Sequence, residues 1–397
     1  MDDMELHYGT IIGALRDGEI IPFLGAGANL CDRPAGTKFE PGINLPSGGE
    51  LAKHLASRFE YTHLAAPDLA WITQYISVAG RGMPALYREL RSLFDPVYPA
   101  TLLHKLLAIL PKVWKEKGRG LPFKIIVTTN YDDVLERSFF AAQEPFDVVS
   151  YVAEGDGVGK FRHWSYQFKP QPLPVLSPRE QDQSEVDYQN ENDKHAKLME
   201  DHVQQQELAQ QEFWKKWPPQ IDPPKLIDRP NEYTGLELDK RLVIFKIHGA
   251  IDRYGQQKAG GSLDSFVITE DDYIEYLART DISGLVPMML AAELKSKNFW
   301  FLGYSLRDWN LRVILRRLWG EQNRGYNSWA ILLNPEDLER KTWLKQNVEI
   351  LNKSLHDYIC DLTFKLSLGR HLKDLDRRLE ELREDSSHIR PVTQAGV

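Results

Sequence analysis

Cysteine is nearly missing from this chain of 397 residues: only Cys31 and Cys360 occur, too far apart in sequence to read as a zinc-ligand pair. That scarcity argues against a disulfide scaffold and a cysteine-built structural zinc module, and it fits a reducing compartment. No metal is expected. No stretch approaches the roughly 18 consecutive apolar residues of a membrane span. The start, Met1-Asp2-Asp3-Met4-Glu5, is acidic and lacks the basic and apolar regions of a signal peptide. A cytoplasmic protein away from membranes is expected. Positive charge is short too: a net charge of −8 argues against direct nucleic-acid binding. Three motifs that announce particular chemistries are absent: the G-x-S-x-G nucleophile elbow, the Walker A loop and the H-E-x-x-H helix.

Apolar residues make up 42% of the chain, enough for a sizeable core, and the length exceeds one average domain. Short runs rich in Ile, Val and Phe, at residues 20–24, 124–127, 242–247, 299–302 and 329–333, alternate with helical patterns. That alternation predicts an α/β fold with a parallel sheet, its strands buried on both faces. Between the first two runs, Leu51, Leu55 and Phe59, then Leu86, Leu90 and Leu93, then Leu102, Leu106 and Leu110 recur at helical spacing. They predict an inserted helical module, with Ser47 as an N-cap and Glu50 as its capping-box partner.

Residues 179–213 hold ten acidic and three basic side chains, a net of −7 that accounts for nearly all the charge of the chain. This stretch reads as a solvent-facing helical or partly disordered insertion. A partner or self-association surface is the sharper alternative, anchored on Trp214 and Trp217. Near the end, Leu372, Leu375, Leu379 and Leu382 form a short stripe that suits either a partner helix or docking on its own domain.

Four apolar runs end in residues that could do chemistry. Parallel strands would bring those ends to one sheet edge, where open α/β sheets bind ligands. Gly25-Ala26-Gly27 follows the first run and suits a phosphate approached by backbone N–H groups at a helix N-terminus, although Leu30 stands where a third glycine would complete the dinucleotide fingerprint. No acidic residue ends the following strand in the place, roughly 20 positions on, where it would hold a ribose, which disfavours hydride transfer. Asn130 and Asp132 sit in a strand-to-helix turn, where they can cap the helix or face a ligand: the amide can hold a water or a ribose hydroxyl, and the carboxylate can accept from an amide. His248 precedes Gly249 at the third end and is the natural general base. Ser305 and Asn334 could bond phosphate or ribose, or cap helices, and Arg307 pairs most simply with Asp308. The set offers binding groups and one base with no side-chain nucleophile, which suits cleavage of an already weak bond such as the glycosidic bond to a cationic nicotinamide.

The ordered motifs GAGAN, TTNYDD, KIHGA, FLGYSLRD and ILLN resemble the sirtuin superfamily of NAD-consuming enzymes, and more closely the sirtuin-like domains of bacterial antiphage systems. The resemblance implies a Rossmann-like sheet binding NAD as substrate. Gly25, Ala26 and Gly27 would lie along the pyrophosphate, Asn29 would also bind the NAD, Asn130 would position a water or ribose, and Asp132 would hold the carboxamide. His248 would be the base, and Gly303, Ser305 and Asn334 would hold the adenosine half. Sirtuin deacylases carry a four-cysteine zinc module, a Gln before the Asn (here Thr129) and a Pro-Asp-Phe-Arg segment, none of which this sequence has. The implied activity is therefore hydrolysis of NAD to nicotinamide and ADP-ribose in antiphage defence. Protein deacylation, ADP-ribosyl transfer and a non-catalytic module binding NAD or ADP-ribose are the alternatives. The relatives also imply a homo-oligomer and a HerA-type ring ATPase as partner, with the acidic insertion and the leucine stripe as contact surfaces. The resulting division places the NAD-binding domain at 1–60, 121–150 and 236–335. The helical module takes 61–120, the acidic and Pro-rich insertion 151–235, and a C-terminal helical segment 336–397.

Overall fold

The computed structural model describes residues 3–61, 68–79, 82–170, 185–253, 263–278, 286–306, 313, 315 and 327–387. Its frame is a nine-stranded sheet made of β1 (Ile20–Leu24), β2 (Ile125–Thr128), β3 (Phe146–Tyr151), β4 (Phe161–Tyr166), β5 (Lys225–Ile227), β6 (Leu242–Lys246), β9 (Asn298–Leu302), β10 (Ser328–Leu332) and β11 (Val348–Asn352). A separate ladder pairs β7 (Gly249–Ala250) with β8 (Ser265–Phe266). The order across the large sheet is β11-β10-β9-β1-β2-β6-β3-β4-β5, and only the β3–β4 and β4–β5 ladders are antiparallel. The fold is α/β, a mostly parallel sheet with twelve α-helices among the described residues.

The continuous apolar runs became the central strands because both sheet faces are covered: every residue of β1, β2 and β6 is buried. Successive side chains alternate between two cores. Leu24, Ile126 and Ile244 face a core built with helices α1 (Asp3–Asp17), α5 (Leu102–Glu116), α6 (Val134–Ala141), α11 (Leu355–Lys365) and α12 (Gly369–Ser387). Phe23, Val127 and Phe245 face the other core, with Tyr276 of α8 (Glu270–Ala278), Leu290 of α9 (Met288–Ser296) and Trp343 of α10 (Asp337–Leu344). Helices α2 (Gly48–Arg58), α3 (Leu69–Val78) and α4 (Gly82–Phe94) make a third core with Tyr131, Ile251 and Phe266. The Ser47–Glu50 capping box forms at the start of α2, and Glu50 also takes two bonds from Arg33 at 2.7 and 2.8 Å.

Register decides where the strand ends fall. Leu24 of β1 lies opposite Leu302 of β9 and Thr128 of β2, and Thr128 lies opposite Lys246 of β6. The C-terminal ends of β9, β1, β2 and β6 are therefore level and adjacent. From β1 the chain builds outward to β2 on one side and to β9 on the other, which makes the end of β1 a topological switch point.

The sheet also draws on segments read as lying outside it. β4 and β5 come from 151–235, and β11 comes from 336–397. β4 (FRHWSY) and β11 (VEILN) carry polar positions that break the continuous apolar signal, as expected nearer a sheet edge. The acidic stretch forms α7 (Glu185–Phe213), whose Leu198, Val203 and Leu208 are exposed. The tryptophans after it are not a partner anchor. Trp214 and Trp217 are buried against Phe140, and Trp217 stacks on Tyr166 at 5.3 Å. The leucine stripe is likewise internal: Leu375 and Leu382 are buried and Leu372 and Leu379 pack on the same core, so α12 docks on its own domain. Docking of α11 corrects the reading of the cysteines as remote. Cys31, Asp32 and His356 bring donor atoms within 4.8 Å of one another, and Cys360 Sγ lies 3.5 Å from His356 Nε2. Among the described residues no helix is long and apolar enough to cross a membrane.

Candidate functional site

The first strand end is shaped by a distant one. Gly27 donates its N–H to the Gly303 carbonyl at 2.8 Å, and Gly25 donates to the Leu302 carbonyl at 3.4 Å, so the loop after β1 lies directly on the loop after β9. There is no room for side chains between them. A Cβ on Gly27 would sit 2.6 Å from Gly303 O, and one on Gly303, whose φ is +67°, would sit 2.2 Å from Ala28 N. Close backbone approach explains these glycines before any ligand does. The turn leads into a short 3-10 helix, Ala26–Leu30, and the next α-helix begins only at Gly48. The expected α-helix N-terminus behind the glycine turn is therefore not formed, because the chain tightens to place Cys31 and Asp32 against the start of α5.

Asn130 and Asp132 reach that same loop from the end of β2. Asn130 takes its turn from Thr128, whose Oγ1 accepts the Asn130 N–H at 3.0 Å, and its Nδ2 donates to the Gly25 carbonyl at 3.2 Å. Asp132 accepts the Val134 N–H at 3.1 Å, tying down the first turn of α6, and accepts Asn29 Nδ2 at 2.8 Å. Asp132 thus combines helix capping with holding Asn29. The other atom of that amide, Asn29 Oδ1, is buried with no hydrogen-bond partner among the described residues. A buried acceptor left unpaired costs roughly 1–3 kcal/mol, and a ligand N–H or O–H would recover it.

His248 leaves β6 level with Asn130, each two residues beyond the paired Thr128 and Lys246. Its carbonyl accepts from Val267 at 2.8 Å, and Tyr273 and Tyr276 meet its ring edge-on at centroid distances of 5.5 and 6.4 Å. Gly249 follows with φ +86° and stands where a Cβ would be 2.1 Å from Ser265 O, so the turn that aims His248 requires glycine.

Among the expected residues, contacts join Gly25, Gly27, Asn29, Asn130, Asp132 and Gly303 into one unit. Ala26 lies inside it, and His248 stands beside it by register. Ser305 is exposed two residues past Gly303. Asn334 is farther out, at the end of β10; it is exposed, has φ +51°, and donates its N–H to Asn352 Oδ1 at 2.8 Å, so it is a turn residue and not a helix cap. Arg307 and Asp308 lie outside the described residues.

One supporting layer escaped sequence reading. Lys246 is 1% exposed and pairs with Glu136 at 2.6 Å while also donating to the Asp132 carbonyl. Burial pushes the Glu136 carboxyl above its ordinary range, and Lys246 offsets that only in part. Next to it, burial would raise Asp133, but Arg253 and Arg137, with the indole N–H of Trp217 at 2.8 Å, hold it well below the usual carboxylate range. The signal was present: a lysine inside the run LVIFKI needs a buried acid to pair with. The cleft over this layer, between Glu136, Trp217, Asp252 and Arg253, has a cavity volume of about 20 Å³. That suits about one water and excludes a nucleotide. These charges hold the strand ends and are not themselves a ligand pocket.

Residues 197–351 match the family model described as the SIR2-like domain. The matched span includes His248, Gly303, Ser305 and Asn334 and stops short of the loops carrying Gly25, Asn130 and Asp132. It supports a sirtuin-like domain with NAD-related activity, since SIR2-like domains use NAD as substrate or cofactor. No curated protein matches the chain.

Proposed function

We propose that the protein is an NAD glycohydrolase that releases nicotinamide and ADP-ribose. One observation carries the reading: the loops after β1, β2 and β9 interlock at the switch point around an unsatisfied buried acceptor, Asn29 Oδ1, with His248 level beside them. Gly25, Ala26, Gly27 and Asn29 hold the pyrophosphate and neighbouring ribose, Asp132 takes the carboxamide, and Gly303, Ser305 and Asn334 flank the adenosine half. Asn130 fixes the water. Water oxygen bonds to C1′ of the nicotinamide ribose as the C1′–N bond breaks; its electron pair leaves with nicotinamide, and His248 takes the proton of the water.

Loss of general-base and water-positioning groups costs about 10²–10⁴-fold in such reactions. Incubation with NAD and chromatography of nicotinamide tests the assignment: His248→Ala and Asn130→Ala reduce release by that factor in chains that far-ultraviolet circular dichroism shows to be folded. Full activity in both variants would remove these residues from the mechanism.

A second reading, a module that binds NAD or ADP-ribose without turnover, is favoured by the internal engagement of the Asn130 amide and both Asp132 oxygens. Calorimetric binding with no nicotinamide released separates it. We assign the biological role to antiphage defence, with activity withheld until a HerA-type ring ATPase engages a homo-oligomer of the chain. The exposed face of α7 supports a partner surface, and co-purification with the ATPase, lost on deleting α7, tests it.

A further inference from the structure

Asp32 sits at the meeting of three elements. The 3-10 helix ends at Cys31, α5 begins at Leu102, and α11 presents His356 and Cys360 one turn apart on one face. Asp32 Oδ2 accepts the Leu102 N–H at 2.5 Å, so the start of α5 orients the carboxylate next to Cys31. Asp32 Oδ1 faces His356 Nδ1 at 3.1 Å. A carboxylate capping a helix and paired with a surface histidine would need no sulfur nearby. Here one donor atom each from Cys31, Asp32 and His356 falls within 4.8 Å of the others.

We infer that Cys31, Asp32 and His356 form a binding site for one divalent cation of the zinc type. The donor set is one sulfur, one oxygen and one imidazole nitrogen, a mixture that suits zinc over magnesium or calcium. His356 binds through Nδ1, the atom turned toward Asp32. Its Nε2–H then points to Cys360 Sγ at 3.5 Å, the outer hydrogen bond that fixes a ligating imidazole. Asp32 uses Oδ1 on the metal and keeps Oδ2 on the Leu102 N–H. With three protein ligands and two of them exposed, the fourth position takes water. This set shares nothing with a four-cysteine module. It staples the 3-10 helix that follows Gly25-Ala26-Gly27 to α11, fixing the glycine loop from behind.

The experiment uses the full chain, stripped with a chelator and titrated with Co²⁺ and then Zn²⁺, without NAD, so its outcome is independent of the proposed activity. One Co²⁺ per chain is expected, with a near-ultraviolet thiolate-to-metal band that Zn²⁺ bleaches, and Zn²⁺ raises the thermal midpoint. His356→Ala, a change at an exposed residue, abolishes stoichiometric binding. Cys31→Ser removes the thiolate band. Cys360→Ala keeps one metal per chain with affinity about tenfold weaker. Absence of the band in the wild-type chain, its survival in Cys31→Ser, or full-affinity binding by His356→Ala overturns the site. Far-ultraviolet circular dichroism confirms that each variant is folded, and His356→Ala carries the test if Cys31→Ser does not fold.

Discussion

Replacing Gly303 by alanine probes the interlock of the two glycine loops. The new Cβ would stand 2.2 Å from Ala28 N, about 1.2 Å inside the 3.4 Å where ordinary contact begins. Three costs arise. A φ of +67° strains an L-residue by about 1–2 kcal/mol, the crowding adds about 1–3 kcal/mol, and loss of the Gly27–Gly303 hydrogen bond adds about 0.5–1.5 kcal/mol. A stiffer unfolded chain returns about 0.4–1 kcal/mol. These terms give a net loss of about 1.5–6 kcal/mol, with partial relaxation of the loops favouring the lower part of that range. Gly155 supplies the control: its φ is +72°, yet a Cβ there meets nothing within 4 Å, so Gly155→Ala carries the strain without the crowding. Urea unfolding of both variants, followed by tryptophan fluorescence, isolates the contact as the difference between them. Calorimetry with NAD reads its consequence, with weakened binding expected for Gly303→Ala alone. Equal stability losses in the two variants would refute the claim that backbone contact between the loops dictates glycine.

Lys246→Met leaves Glu136 buried without its partner and should cost about 3–5 kcal/mol, while adding Glu136→Leu should recover much of that in the same denaturation assay. Asp133 is held below its ordinary range, so the folded chain binds its proton less readily than the unfolded one. Its stabilisation is complete above about pH 4 and is lost as pH falls below that, so an acid titration should unfold the wild type with a steeper pH dependence than Asp133→Asn shows. Leu375→Ala should cost about 2–5 kcal/mol through core loss. Unchanged thermal stability would return the leucine stripe to the role of a partner surface.

The central sheet was legible because parallel strands covered on both faces need continuous apolar runs, and β1, β2, β6, β9 and β10 all announce themselves that way. β3, β4, β5 and β11 carry Asp147, His163, Lys225 and Glu349 within their pairing, so their pattern resembles loop or surface helix. The candidate site was legible as residue types at strand ends. The reasons for those types were not, since the neighbour that makes Gly27 obligatory is Gly303, far along the chain. Trp214 and Trp217 misled because burial depends on what packs over a residue: Phe140 and Tyr166 come from other elements, and only the folded chain brings them there.

The pairing of β1 with β9 also bears on synthesis. A nascent chain emerging from the ribosome exposes Gly25-Ala26-Gly27 well before the strand and the Gly303 loop that give this turn its shape are made. Until then the glycine loop has no surface to lie on, and β1 has only one of its two neighbours. Truncated or stalled products ending before β9 therefore lack an assembled strand edge.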